Sequence, residues 1–553
     1  MRSVAAIAIA FFAAAFFAGI AEAQVSEVIE VRVANVDVVV LDRAGKPITG
    51  LTKDDFQLFE NGKPQPLTNF YEIRSQTLAA PGEAAAQAGA PPAEPPAEAK
   101  KRSVIVFFDS SSIAFFGRNK AIDSIQRLMS TLVRDGDDAM IVNWGRGMQV
   151  VQPFTSDRAA LQHGVKAIQK KIADAASMQF QKTRVISNAE NNIRTSIQSQ
   201  GRYSMQQAYE DSVADWTNYA ADLRNQQSQL MTDVSRLFSV LAGSDRKKVF
   251  LFLAGELQEM PGMDVLAQID SLFEQQGIRI QSPAQLQAKD VGISKQLRTL
   301  AEGASADGIT MYMVDVGDRH IDNTGRTPAD QSVDFLSDMN SLMSMGMLAE
   351  TTGGAILNGT MNFDNALRDV SRDLDSYYSL GYKPADGPKQ RKIVVKVTRP
   401  GAKVRTREFY SLKSSDEQIS DAVVANVFHD GMTGDFPVTV EAGAAEVAEK
   451  DTFKVPVTIS FPSDLTYLPD GEKMVGEYAV VFLTASADGA MSPITKQVHK
   501  VSFPAARVGE VGKQPLATTA TLLVKGGTQS VSVAIVDRRG ARTGYGKATF
   551  TAQ

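Results

Sequence analysis

Four short apolar runs, each followed by a helix-like stretch, constrain this chain more than any other feature. "SVIVFFD" (103–109), "DAMIVNWG" (138–145), "KKVFLFLAG" (247–255) and "ITMYMVDVG" (309–317) are almost continuously hydrophobic. A strand with one face in water alternates apolar and polar residues, whereas a strand buried on both faces does not. Between the runs lie amphipathic stretches such as "NKAIDSIQRLMSTLV" (119–133) and "MTDVSRLFSVLAG" (231–243). This alternation predicts a parallel sheet covered by helices on both faces and doubly wound through right-handed crossovers. The functional edge of such a sheet is formed by the carboxyl ends of its strands.

The remaining chain divides around this α/β unit, which is expected over 101–376. Residues 24–75 predict a β module, with Asn61-Gly62 as a hairpin turn between two strand-like runs. Residues 76–100 are rich in Ala, Pro and Glu, hold almost no large apolar group, and predict a linker. The strand–helix spacing is broken once, at about 160–230, by a Gln-, Asn- and Ser-rich stretch expected to stand out as a solvated helical arm. Residues 377–412 predict exit strands with a turn at Pro400-Gly401. These strands are expected to pair with 25–74 in one sheet, making the α/β unit an insertion, since closure cost grows slowly with loop length. Short strands between Gly, Asp and Pro turns over 413–553 predict a C-terminal β-sandwich.

Residues 1–23 read as a secretory signal peptide. Arg2, an uninterrupted apolar region and small residues at Ala21 and Ala23 form the pattern, with cleavage expected before Gln24. An uncleaved anchor is the alternative, because the apolar stretch approaches spanning length. No later segment is apolar enough to span. The expectation is an exported protein, periplasmic or extracellular, with no membrane insertion after cleavage. A formal charge of −5 over 553 residues and no basic cluster leave no reason to bind nucleic acid. The sequence has no cysteine, which excludes disulfides, thiolate metal sites and cysteine nucleophiles.

The first apolar strand ends in "DSSSI", so Asp109 and Ser111 stand at a strand's carboxyl end. A loop that aims a carboxylate and hydroxyls at one point offers the oxygen ligands a small hard dication needs. Asp-x-Ser-x-Ser in this place resembles the metal-ion-dependent adhesion site of von Willebrand factor A-type domains. That resemblance implies a Rossmann-like fold, with a Thr from a second loop and an Asp from a third completing the shell. Here Ile113 occupies the last serine position, and Ala254 stands where the third-loop Asp is expected. Thr183 and Thr195 both lie in the polar stretch, and Glu256, two residues on, is a possible substitute ligand. Losing a carboxylate weighs heavily, since unit charges 4 Å apart interact by about 4 kcal/mol even at an effective dielectric of 20.

Nearly the whole mature chain also resembles bacterial, acidobacterial-type VWFA-related proteins. The likeness runs through "VDVVVLDRAGKPITGLTKDDFQLFENGKPQPLTNF", "VFLFLAGELQEMPGMDVL", "GITMYMVDVGDRH", "LAETTGGAILNG" and "SYYSLGYKP…RKIVVKVTRPGAKVRTREFYS" in order. It implies an exported protein with an A-type domain, and assigns no biochemical role. The family has Ser-Asp-Gly where Leu253-Ala254-Gly255 stands here.

Other features read more plainly. Ser244 and Lys247 satisfy Ser-x-x-Lys, but without a companion motif they predict a cap and a solvated lysine. His163, His320, His429 and His499 show no metal spacing and are expected at the surface. The Met-rich "SLMSMGMLAE" (341–350) is expected to fill core, and Gly353-Gly354 to end a helix. Asp315 and Asp318 are expected to make loop hydrogen bonds, and Asp135, Asp137 and Asp138 to occupy a turn.

Together these readings give an expected function: an exported, non-enzymatic binding or scaffold protein, using an A-type domain with a degenerate metal site to contact a protein partner. No resident cofactor is expected. The alternative is adhesion dependent on Mg or Mn held by Asp109 and Ser111. A cell-envelope hydrolase is the third, and no motif supplies its nucleophile and base.

Overall fold

The computed structural model describes residues 33–74 and 101–553, apart from 114, 146, 170–174, 245, 281–291, 318–327, 386, 430, 431, 433 and 488. The expected signal peptide and linker, together with Asp318 and His320, lie outside the described residues. The chain opens with β1 (Ala34–Leu41), β2 (Phe56–Glu60), β3 (Lys63–Gln65) and β4 (Leu67–Arg74). Asn61 and Gly62, with φ of 49° and 79°, form the tight turn between β2 and β3.

Next come β5 (Arg102–Asp109), α1 (Phe115–Leu132), β6 (Asp138–Trp144), β7 (Met148–Thr155) and α2 (Arg158–Gln169). They are followed by α3 (Ala175–Gln198), α4 (Met205–Ala242), β8 (Lys247–Ala254), α5 (Met263–Glu274) and α6 (Ser294–Ala306). β9 (Ile309–Asp315), α7 (Pro328–Thr351), β10 (Ala355–Asn358) and α8 (Gly359–Asp375) complete the α/β unit. Its six-stranded sheet has the order β10-β9-β8-β5-β6-β7, with only β7 antiparallel to its neighbour. Alternate residues of each strand enter opposite cores. Ile105, Phe107, Phe250 and Met311 pack with α4, α6 and α7, while Val106, Phe108, Leu251 and Tyr312 pack with α1, α2 and α8.

The leading and exit strands do pair, but in two sheets instead of one. The exit strands are β11 (Ser376–Tyr382), β12 (Gln390–Val397), β13 (Lys403–Thr406) and β14 (Phe409–Ser411). One sheet runs β13-β1-β11-β4 and the other β14-β12-β2-β3. Between them lies a core that includes Val36, Val38, Leu58, Tyr378, Leu380 and Ile393. The turn at Pro400-Gly401 thus passes the chain from one sheet to the other.

The polar stretch is helical, yet it is not a solvated arm. α3 and the 38-residue α4 enclose a core with α5 that includes Val185, Trp216, Leu223, Leu266 and Phe273. Its periodicity is weak because polar groups sit inside the helix interface and bond one another. Asn188 Nδ2 donates to Asp215 and Asn192 Nδ2 to Ser212, both at 2.9 Å.

Beyond the exit strands, α9 (Ser415–Phe428) is a helix where only strands were expected; its capping box, Ser414 with Glu417, was the overlooked signal. Strands β15 (Thr439–Ala442), β16 (Glu446–Glu449), β17 (Thr452–Phe461) and β21 (Leu516–Lys525) form one sheet. Strands β18 (Leu468–Asp470), β19 (Lys473–Ser486), β20 (Thr495–Pro504), β22 (Gly527–Asp537) and β23 (Arg542–Ala552) form another. The two share a core containing Val455, Val457, Val480 and Val533. α9 joins them to the α/β unit: Val423 shares a core with Leu237 of α4, and Asn426 Nδ2 donates to Ser532 Oγ at 3.1 Å.

Two plain expectations are corrected here. Lys247 is not solvated; its side chain is 8% exposed, paired with Asp37 at 3.2 Å and lying 3.2 Å above the Tyr377 ring. His429 is not at the surface. It stacks on Phe154 with 4.0 Å between ring centres, and its Nδ1 lies 3.1 Å from Asp138.

Candidate functional site

β5 is the first strand of the α/β sheet, and β6 and β8 flank it on either side. The chain therefore reverses its direction of winding at β5, and helices leave the carboxyl ends of β5 and β8 toward opposite faces. A crevice at such a reversal is where open α/β sheets carry their sites. The loops after β5 and β8 meet there closely. An added Cβ at Gly255 would lie 2.2 Å from the Ser112 carbonyl oxygen, so only glycine permits the approach.

Asp109, fully buried, is enclosed by its own loop. Its Oδ1 accepts from Ser111 Oγ at 2.6 Å and from Ser111 N at 3.1 Å, and its Oδ2 accepts from Ser112 Oγ at 2.6 Å. Ser112 Oγ in turn accepts from Gly255 N at 3.1 Å, tying the two loops together. Ser110 is fixed to the neighbouring strand, with its N donating to Trp144 O at 2.8 Å and its Oγ to Asn143 Oδ1 at 2.5 Å. Burial pushes the Asp109 carboxyl above its ordinary range, against the opposing pull of these hydrogen bonds. The structure therefore brings Asp109 and Ser111 together. It adds Ser112, which the Asp-x-Ser-x-Ser spacing skips, and sends Ile113 into the core.

Glu256 faces elsewhere. Its Oε1 accepts from Gln258 Nε2 at 2.9 Å and from Ser337 Oγ of α7 at 3.0 Å. Burial, then the nearby Asp264 carboxylate, raise its pKa, while Lys182, which pairs with Asp264, opposes them. No hydrogen bond joins Glu256 to the Asp109 loop among the described residues. Thr183 and Thr195 are exposed on α3, with Thr183 Oγ1 donating to Gln179 O at 2.9 Å. Across the sheet, Leu253 is in register with Phe108, and the next residue, Ala254, with Asp315. Asp315 is buried and accepts from Gly317 N at 3.1 Å. It is a second carboxylate at this edge, two strand spacings or about 10 Å from Asp109. Among the described residues, no group of three or more His, Asp or Glu is arranged to hold a metal ion.

Beside this edge lies a feature that the Met-rich pattern concealed. α7 is anchored to the loop after β8: Asn340 Nδ2 donates to Met260 O at 2.8 Å and Leu257 N to Ser341 Oγ at 3.0 Å. Its Met345, Leu348 and Ala349 fill core as expected. Phe335, Met339 and Met343, each one turn from the next, are instead 63%, 40% and 56% exposed. They form an apolar stripe next to the sheet edge.

No protein-family model matches the chain and no curated protein matches it, so the acidobacterial-type resemblance rests on the residues that carry it alone. Among solved structures, the conserved hypothetical protein BatB from Bacteroides thetaiotaomicron is 11% identical, with 50% of this chain and 97% of that one covered at a TM-score of 0.23. The vWF domain of the type V pili tip protein Mfa5 from Porphyromonas gingivalis is 10% identical, covering 50% and 95% at a TM-score of 0.24. Three N-terminal domains of Mfa5 are 9% identical, covering 78% and 75% at 0.24. With overlaps this loose, the reading of the site rests on the strand order and hydrogen bonds described above.

Proposed function

We propose that the chain is an exported, non-enzymatic binding protein whose α/β unit is a Rossmann-like von Willebrand factor A-type domain. The leading and exit strands and a C-terminal β-sandwich flank this domain and position it. It contacts a protein partner through the α7 stripe and the adjoining loops, without a resident dication. The observation that carries this reading is the stripe itself. Isolated exposed apolar residues are ordinary, but three aligned on one helix beside a sheet's carboxyl edge favour recognition. Flexible methionines suit such a surface because they adapt to the partner's shape. Export is supported by the N-terminal charge, apolar run and small-residue pattern over 1–23.

The metal-free reading is supported by the state of Asp109. A divalent ion there would have to displace hydroxyl and amide donors that already satisfy both carboxylate oxygens, and it would meet no second carboxylate on the adjacent strand. Accordingly, titration with magnesium or manganese is expected to leave the melting temperature unchanged. A resident ion at a hundred times its Kd would add about 2.7 kcal/mol, so a saturable rise lost in Asp109→Ala would establish the metal-dependent alternative.

The carboxyl of Asp109 also predicts a pH effect. Because its folded pKa is raised, the cost of ionising it is full above that pKa, shrinks as pH falls from there toward the ordinary carboxylate value, and vanishes below that value. Asp109→Asn is therefore expected to melt a few degrees higher than wild type at pH 7.5, with the gap closing on acidification. Melting curves from pH 4.5 to 8 check this; an unchanged gap across that range would refute it.

The partner surface is tested by placing a photo-crosslinker at Met343 in the expressing cells, with Val447, 75% exposed on β16, as the distant control. A discrete adduct is expected from Met343 alone. Replacing Phe335, Met339 and Met343 together by serine is expected to abolish capture from a neighbouring crosslinker position while shifting stability by less than about 0.5 kcal/mol per site. Identical adducts from both crosslinker positions, or none from Met343, would sink the proposal.

A further inference from the structure

At the opposite, amino-terminal edge of the α/β sheet, where β8 and β9 meet β1 and β13, lies a cavity of about 470 Å³. That is within the range of small-molecule sites. Its wall carries six cationic side chains, those of Arg246, Lys247, Lys248, Arg405, Arg407 and Lys413, against two carboxylates, Asp37 and Asp307. Four of the cations have ion-pair partners. Lys247 pairs with Asp37 at 3.2 Å, Lys413 with both Asp307 and Asp421 at 2.6 Å, Arg246 with Asp138 at 3.5 Å, and Arg405 with Asp373.

Two are left over. Lys248 Nζ donates only to main-chain oxygens, Ala242 O at 2.7 Å and Asp307 O at 3.2 Å. Arg407 donates to Asn35 O, and its guanidinium lies 5.0 Å from the Tyr410 ring centre. Neither has a carboxylate within ion-pair distance among the described residues. The chain makes room for them: an added Cβ at Gly308 would lie 2.9 Å from Arg407 Nη1. Arg405 Nε, on the same wall, is buried with no hydrogen-bond partner. Burial, with Lys413 and Arg407 nearby, pulls the Lys248 ammonium down to about 8 against the pull of Asp307. Desolvated cations without counter-charge are costly. Asp307 acts on both and Asp37 on Arg407 only from beyond ion-pair distance, so the cavity has room for a direct counter-charge from outside the chain.

We propose that this cavity binds a compact organic phosphate, its dianionic group held between Lys248 and Arg407 and its organic part against Tyr410, Tyr312 and Leu412. Two cations without a directly paired carboxylate match a dianion better than a monocarboxylate. A guanidinium fork beside an ammonium suits the tetrahedral oxygens of a phosphate. The cavity volume and the aromatic and aliphatic wall exceed what a bare inorganic ion would occupy. Because the wall is built jointly by the leading strands, the exit strands and the α/β unit, the bound anion would brace the junction among them.

The test uses the full chain and three probes at constant ionic strength: phenyl phosphate, benzoate and inorganic phosphate. Calorimetry is expected to give saturable binding of phenyl phosphate, with benzoate and inorganic phosphate each weaker. Lys248→Met and Arg407→Met are each expected to weaken phenyl phosphate binding by at least about tenfold, as loss of a charge-assisted hydrogen bond implies. Lys500→Met, on the distant strand β20, leaves it unchanged. Lys248→Met removes a buried charge that has no directly paired carboxylate and is expected to fold with an undiminished melting temperature, so lost binding there reports the site. Absence of saturable phenyl phosphate binding, or wild-type affinity in both site variants, overturns the cavity as an anion site. Benzoate binding as tightly as phenyl phosphate overturns the dianion assignment, and inorganic phosphate binding as tightly overturns the organic one.

Discussion

Glu60→Ala is expected to lower the stability of the interleaved β sheets by about 3–5 kcal/mol, because it leaves a buried guanidinium unpaired. Arg391 Nη1 lies 2.6 Å from Glu60 Oε1, with the two side chains only 2% and 4% exposed. They come from strands 331 residues apart in the chain, so the pair exists only if the leading and exit strands fold as one body. The pair is also imperfect, since Glu60 Oε2 and Arg391 Nε are both buried without partners. Replacing both residues together, as Glu60→Leu with Arg391→Met, is therefore expected to restore most of the loss. Urea unfolding followed by near-ultraviolet circular dichroism, which senses the packed rings of Phe56, Phe70 and Tyr378, measures both effects. A single-substitution cost under about 1 kcal/mol, typical of a solvent-exposed pair, would contradict the interleaved arrangement.

A comparable loss, again about 3–5 kcal/mol, is expected for Asp137→Ala. Asp137 accepts from Arg102 N at 2.7 Å, Arg102 Nε at 2.6 Å and Arg134 N at 3.0 Å. Arg102 opens β5 and lies 3.5 Å from Asp375, which closes α8. Arg134 pairs with Asp375 as well. This buried cluster thus holds the two ends of the α/β unit side by side, and for that reason so long an insertion can sit between the paired strands. Removing Asp137 leaves the buried Arg102 charge with only its longer contact to Asp375 and orphans two amides. Asp137→Asn keeps an acceptor and is expected to lose less. Tryptophan fluorescence during unfolding reads the effect directly, since both tryptophans, Trp144 and Trp216, lie in this unit's cores. Wild-type stability in Asp137→Ala would show that the cluster contributes nothing.

Residues whose neighbours in the chain already dictate their environment were the ones legible in the sequence. Strands β5, β6, β8 and β9 are apolar on both faces and could only lie inside a covered sheet, and Asn61-Gly62 could only turn. Asp109 at a strand's end marked the candidate edge, and Ser111 beside it was placed there for the same reason. Ser112 was missed because its hydrogen bond to Asp109 follows from the way the loop curls against Gly255, not from spacing. The α3–α4 pair was misjudged because its interface uses Asn and Ser bonded across helices, which removes the hydrophobic period. Lys247 and His429 were misplaced because charge and ring polarity predict water, while Asp37 and Asp138, remote in sequence, supply their partners inside. The stripe on α7 was hidden for the opposite reason: a methionine repeat reads alike whether or not anything covers it.

Hydrophobic period, turn chemistry and an acidic strand end, all properties of a few consecutive residues, were enough by themselves to determine a covered parallel sheet, β-rich flanks and a candidate edge. The division of the leading and exit strands between two sheets, the direction Glu256 faces, the exposure of Phe335, Met339 and Met343, and the gathering of Lys248 and Arg407 on one cavity wall were decided only by the tertiary structure. Each depends on groups brought together across long stretches of chain, where burial and charge balance belong to the assembled neighbourhood and not to any local segment.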